Sequence, residues 1–244
     1  MMNALIARFL LCLPLLTFVT PAPLYAATYV EISEELTTLY RAARKVISDN
    51  QGHINNAAIG DKGLSGKVVA QKTLENYQAV TGKNINKGNM TLAQTAMLNA
   101  VKQVMDENQD LINEKGTGLK GFLPAIFARQ VATKFSQDMK GKMNIKLTAP
   151  KKYVRNRANR PDKWENNVVE TVFKSPDYEK GKSFYEETTV KGRNAFRFIL
   201  PEYYGPSCLG CHGSPKGERD ITGGKKEGGV LNELGGAISL TIFH

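Results

Sequence analysis

The apolar positions of this chain change their period once, near residue 140. Upstream they follow the helical spacing. From Glu31 to about Asn55, residues Leu36, Leu39, Tyr40, Ala43, Val46 and Ile47 recur at intervals of three and four, which predicts a helix with one buried stripe. Gly60-Asp61-Lys62-Gly63 interrupts it. A second helix is predicted over Lys67–Val80, stopping at Thr81-Gly82. Thr91 is a candidate cap for a third, whose stripe of Met97, Val101, Val104, Met105 and Ile112 runs on to Gly116. A fourth covers Phe122–Met139, with Pro124 in the first turn, where a missing N–H leaves no helical bond unmade. These methionine and leucine stripes read as core.

Downstream the period drops to two. Met143–Thr148 alternates apolar and polar residues as a half-buried strand does. Pro161–Lys174 returns briefly to helical spacing, with Trp164, Val168, Val169 and Val172 on one face. Ser183–Val190 and Asn194–Leu200 predict paired strands across a turn at Lys191-Gly192-Arg193. A loop rich in glycine and lysine, Gly213–Gly229, leads to a last strand, Gly236–Phe243. The expected fold class is α+β: N-terminal helices (27–140), then a small antiparallel sheet (141–244) with one helix packed on it.

Composition refines this picture in two ways. A hydrophobic content of 41% in 244 residues supports one ordered domain with a buried core. Residues 1–26 read as a secretory signal: Arg8, an apolar stretch from Phe9 to Val19, then Leu24-Tyr25-Ala26 before Ala27. That stretch is shorter than the roughly 20 residues a membrane-spanning helix needs. Cleavage is expected after Ala26, giving a periplasmic domain over 27–244 with no membrane span. Cys12 leaves with the leader, so the two remaining cysteines have no third to pair with. The net charge of +10 stays almost wholly with the mature chain. Outside the cytoplasm nucleic acid is not the expected partner; an acidic redox or signalling partner, an anionic membrane surface or an anionic cofactor fits better.

The chemistry concentrates in Cys208-Leu209-Gly210-Cys211-His212. Two thiols three positions apart can each add across a vinyl group of one haem, and the histidine that follows is placed to bind the iron. This is the attachment signature of a c-type haem. Two alternatives share the cysteine pair. A thiol–disulfide site is usually found at a helix N-terminus that lowers the first thiol's pKa, whereas Pro201–Ser207 and Gly213-Ser214-Pro215 flank this pair with turn residues. A structural zinc site wants four ligands, and beyond the motif the chain offers only His53, His244 and carboxylates.

The position of the motif excludes the small electron-carrier cytochrome fold, in which a downstream methionine binds the second face of the iron. Here the last methionine is Met143, far upstream. His53, near the end of the first helix, is the leading candidate for a distal ligand. His244 and Met97, Met105, Met139 or Met143 are weaker ones, and a vacant or water-filled position is a further possibility. Axial ligation decides between electron transfer and gas binding. The basic run Lys151–Arg160 supplies Arg155, Arg157 and Arg160 as candidate propionate contacts, because a guanidinium matches a carboxylate in a bidentate way. Arg193 and Arg197 are weaker candidates for the same role. Tyr203 and Tyr204, just before the motif, are candidates to pack on a porphyrin.

An ordered set of segments resembles the periplasmic single-haem c-type domains with a PAS-like fold, formerly a domain of unknown function. The set comprises Asn50-Gln51 with Ile54-Asn55, Asp61-Lys62-Gly63, Lys120–Ala125, Arg155-Asn156, Asn159, Pro161-Asp162 and Trp164-Glu165. Pro201–Tyr204, Cys208–Gly213 and Gly235–Ser239 complete it. The resemblance implies a PAS-like antiparallel sheet holding one covalent haem, with helices alongside, and a role in redox or small-gas sensing. Some members use a cysteine thiolate as distal ligand; this chain departs from them, having no further cysteine after leader removal. The expected function is one-electron transfer or redox signalling as a mono-haem c-type cytochrome. The alternative is a haem-based module that binds NO or CO. No paired distal His and Arg points to peroxidase-like or nitrogen-oxide chemistry, so a carrier or sensor is expected rather than an enzyme.

Overall fold

The computed structural model describes residues 24–86 and 88–244. The expected leader lies outside them, apart from Leu24–Ala26, which open the first helix. Helices α1 (Leu24–Asp49), α2 (Gln51–Ile54), α3 (Gly66–Thr81), α4 (Leu92–Glu107), α5 (Gln109–Asn113) and α6 (Pro124–Asp138) form the first half. Two helices predicted as continuous are interrupted, and the same residue type does it each time. Asn50 Nδ2 donates to the Val46 carbonyl at 2.8 Å, and Asn108 Nδ2 to the Val104 carbonyl at 2.7 Å. A short amide side chain that bonds the backbone four residues back competes with the helical ladder. Elsewhere the predicted ends are found. Thr91 and Gln94 form a reciprocal capping box, and α3 stops at Gly82 with φ +68°. Gly66 lets α3 meet α4: a Cβ there would lie 2.3 Å from the Lys102 carbonyl oxygen.

The second half is a four-stranded antiparallel sheet, β1 (Met143–Thr148), β2 (Phe184–Val190), β3 (Arg193–Tyr203) and β4 (Leu234–Phe243), in the order β1-β4-β3-β2. The sequence pattern ends β3 at Leu200 because a proline follows. The strand runs on to Tyr203, since β2 pairs only as far as Ile199 and the Pro201 position owes no donor on that side. Phe196, Phe198, Ile238, Leu240 and Ile242 face α1 and α6 in the main core; Met97, Met105 and Met139 are buried there too. Ile199 and Ala237 face the opposite side, where Val168, Val169 and Phe173 pack. That side carries α7 (Lys163–Asn167), which widens into a π-helical turn over Val168–Val172 where a single α-helix was expected. The run is rich in valine, a β-branched residue of reduced α propensity. The result is three layers, with the sheet in the middle. Among the described residues no helix is long and apolar enough to cross a membrane.

Helix α1 runs along β3 in the same direction. Tyr29 meets Phe196 near the start of the strand, at 5.7 Å between ring centroids, and Arg41 and Arg44 meet Glu202 near its end. The C-terminal end of α1, and α2 beyond it, therefore lie at the end of the sheet where β3 delivers the Cys-x-x-Cys-His segment.

Candidate functional site

The segment forms a short helix, α8 (Pro206–His212), where the sequence suggested only turn. Pro206 occupies the first helical position, where its fixed φ is already helical, and the amide of Gly213 closes the end on the Leu209 carbonyl at 2.9 Å. Three residues apart, Cys208 and Cys211 share one face; both thiols are free and partly exposed. A register shift between Glu202 and Tyr203 ends the strand and turns Tyr204 inward. Its ring stacks on the His212 imidazole at 5.4 Å and 17°, and meets Tyr153 edge-on at 5.7 Å. Gly229 and Gly235 admit that ring: a Cβ at either would lie within 2.4 Å of a ring carbon.

His212 is fixed from a second direction. Its Nδ1 lies 3.0 Å from the Glu227 carboxylate, so the carboxylate accepts from Nδ1–H and leaves Nε2 as the nitrogen with a free lone pair. Arg155 holds the acid in place. Its Nε and Nη2 donate to Glu227, Nη1 donates to Asp220 at 2.5 Å, and Nη2 also reaches the carbonyls of Cys211 and Lys225. One guanidinium thus joins α8 to the 213–229 loop. Arg155, expected as a propionate contact, is bonded here to two carboxylates of this chain. Arg157 and Arg160 are exposed, and no side-chain partner engages either guanidinium among the described residues.

The remaining candidates are dispersed. Arg197 is buried, bonds Asp162 at 2.7 Å and lies over Trp164, which makes it a support for α7. Arg193 stacks on Phe243 at the start of β3, and His244 stacks on Tyr29 at that same end. Nine residues of strand, about 30 Å, separate that end from Tyr203, so neither reaches the motif. Met143 packs against the helical core like the other methionines. Tyr203 lies under the Lys180 ammonium at 4.6 Å. His53 is exposed on α2, with Nε2 3.0 Å from the Lys62 carbonyl.

Sequence reasoning missed Glu227, Asp220 and Glu202. The available signal was slight: Glu202 stands inside the Pro201–Tyr204 segment, whereas Asp220 and Glu227 lie in the glycine- and lysine-rich loop after the motif. Burial works against the charges of Glu202 and Asp220, yet their partners win. Arg44 and Arg41 hold Glu202 below the usual glutamate value, and hydrogen bonds from Thr222 and Arg155 hold Asp220 at about 2. Groups with depressed folded pKa values add stability that is complete above their unfolded values, 4.5 for Glu202 and 3.8 for Asp220, and is lost as pH falls through the folded values. The urea midpoint is therefore expected to fall steadily from pH 4.5 towards pH 2. In Asp220→Asn the neutral-pH midpoint should be lower and the acid-side slope shallower; equal slopes would contradict this assignment.

The two competing uses of the cysteines fare differently from each other. Among the described residues no group of three or more His, Cys, Asp or Glu side chains is placed to hold a metal ion, which leaves a bare zinc ion without a ligand set. Burial and Asp220 push the Cys211 thiol up. Cys208, however, lies in the first turn of α8, the helix N-terminal setting that a thiol–disulfide site uses, so the dithiol use is retained beside haem attachment. A covalently anchored haem asks less of the protein: two adjacent thiols and one oriented imidazole. Comparison with curated proteins and with solved structures found no match. One family model, described as Tll0287-like, matches residues 29–242, nearly all of the described chain. It is the family that the ordered residue set resembles, and the chain belongs to the Tll0287-like family.

Proposed function

We propose that this chain is a periplasmic mono-haem c-type cytochrome that works by one-electron transfer or redox signalling. The observation that carries the reading is the His212 imidazole, held at Nδ1 by Glu227 and on its face by Tyr204, next to two free thiols on one helical face. Cys208 and Cys211 would form the thioethers and His212 Nε2 would bind the iron. A haem bound there supplies a one-electron couple whose potential depends on its axial ligands and surroundings. The residues of this chain do the rest. Glu227 fixes the tautomer and raises the basicity of the imidazole. Arg155 bonds Glu227 and aims it, and Arg155, Arg157 and Arg160 remain the candidate propionate contacts. The antiparallel sheet flanked by helices is compatible with the PAS-like architecture that the resemblance implies, and residues 1–26 would serve as the export signal.

His53 follows α1, whose Arg41 and Arg44 meet Glu202 near the end of β3, and this supports it as distal ligand. Its Nε2 is engaged by the Lys62 carbonyl, however, and that contact favours a second reading, an open or displaceable sixth position that binds NO or CO. One experiment addresses both. The chain is expressed with a working haem-ligation machinery, and its mass and its oxidised, reduced and CO-treated spectra are recorded. Covalent haem in a low-spin state that refuses CO is expected, and His53→Ala should convert it to a high-spin, CO-binding form. A colourless product of unmodified mass would sink the haem reading. CO uptake by the unaltered protein would favour the sensor.

A further inference from the structure

The loop after the motif folds as a hairpin whose charges are sorted by side. Gly217 N donates to the Lys226 carbonyl and Lys226 N to the Glu218 carbonyl, each at 2.8 Å, and Arg219 bridges Lys225. Asp220 closes the turn by accepting from the amides of Thr222 and Gly224 at 2.7 and 3.1 Å. Two of its three acids turn inward: the side chains of Asp220 and Glu227 are 0% and 11% exposed, both bound to Arg155. Glu218 is matched by Lys226 at 3.4 Å. Lys216, Arg219 and Lys225 face outward and exposed, and no carboxylate pairs with them among the described residues. At the tip, Ile221 is 68% exposed. Val230 and Leu231 lie exposed just beyond the hairpin, so three of the eight large apolar side chains exposed among the described residues fall between α8 and β4.

The inner face of this hairpin touches the attachment helix directly, through Arg155 to the Cys211 carbonyl and Glu227 to His212. Its outer face combines an apolar tip with unpaired cations, the anatomy of a protein interface with a charged rim. Resting on the haem reading above, we infer that the outer face of the 216–227 hairpin is where an acidic protein partner docks to exchange an electron with the haem. Opposite charge steers such a partner, and the effect fades as salt shortens the screening length.

The test uses two probes. In the first, the ferrous haem protein is mixed with hexacyanoferrate(III), which gains the one electron that the haem iron loses. The triple variant Lys216→Glu, Arg219→Glu, Lys225→Glu is expected to react about tenfold or more slowly at low salt and to converge on the unaltered protein at high salt. A control with Lys67, Lys72 and Lys83 reversed, all exposed on or after α3, should change far less. In the second, poly-L-aspartate binding is measured on the full chain with Cys208→Ser and Cys211→Ser, which removes haem from the readout; hairpin reversal should abolish it and the control should not. Equal effects of the two triple variants would overturn the docking surface even on a haem-bearing chain. Absence of haem from the unaltered chain would instead remove the haem reading and electron exchange with it.

Discussion

Replacing Arg155 by leucine is expected to cost about 2–3 kcal/mol of folding stability, below the 3–5 typical of a broken buried pair because the guanidinium is itself 30% exposed. The cost arises on the acid side. Asp220 is fully buried and Glu227 nearly so, and both would lose their main cationic partner. The Cys211 carbonyl would lose a donor as well. Arg155→Lys should recover only part of the loss, since an ammonium cannot reach two carboxylates and two carbonyls through a planar fork. Urea unfolding checks the stability, and limited proteolysis checks the locus, with cleavage expected first within residues 213–229. An unchanged midpoint would mean that the guanidinium is a surface charge after all.

Glu227→Gln separates the electronic role of that residue from its structural one. The amide oxygen can still accept from His212 Nδ1–H and Arg155 Nη2, but the amide carries no charge and its NH2 cannot accept from Arg155 Nε. Thioether formation should be unaffected, because neither thiol depends on Glu227. With a haem iron bound at His212 as proposed, the imidazole would be a weaker donor, and the reduction potential should rise as the ferric state loses its extra stabilisation. Glu227→Ala should go further and shift the ligation equilibrium at His212 by roughly 10- to 100-fold, as loss of an outer-shell partner does at other metal sites. Potentiometric titration of protein with confirmed covalent haem is the measurement. A potential indifferent to the Gln variant would detach Glu227 from the iron. The two variants are complementary: Arg155→Leu acts mainly on stability and Glu227→Gln mainly on potential.

Most secondary structure was legible in the chain because it depends on near neighbours. A stripe such as Leu36, Leu39, Tyr40 and Ala43 buries itself only on a helix, and Met143–Thr148 can bury one side only as a strand. Capping by Thr91 and Gln94 and termination at Gly82 involve residues within one turn. The spacing of Cys208, Cys211 and His212 is equally short-range, and the proposal of haem attachment rests on it. The departures came where a local rule met a distant partner. Pro201 seemed to end β3, but β2 had already ended beside it. Asn50 and Asn108 looked like ordinary helical positions until their amides took a backbone carbonyl.

The surroundings of the motif could not be read in advance, for the complementary reason. Arg41 and Arg44 reach Glu202 across 161 and 158 residues, and Arg155 reaches Glu227 across 72. No periodicity encodes such pairs. A buried carboxylate needs a cation, but every arginine in a basic run is chemically equivalent until the backbone brings one of them against it. The chain order alone made Arg155, Arg157 and Arg160 alike, and folding committed the first to Asp220 and Glu227 while leaving the other two in solvent. Residue type and short-range spacing specify what a side chain can bond; packing specifies which bond it makes, because desolvation penalises every charged alternative that finds no partner.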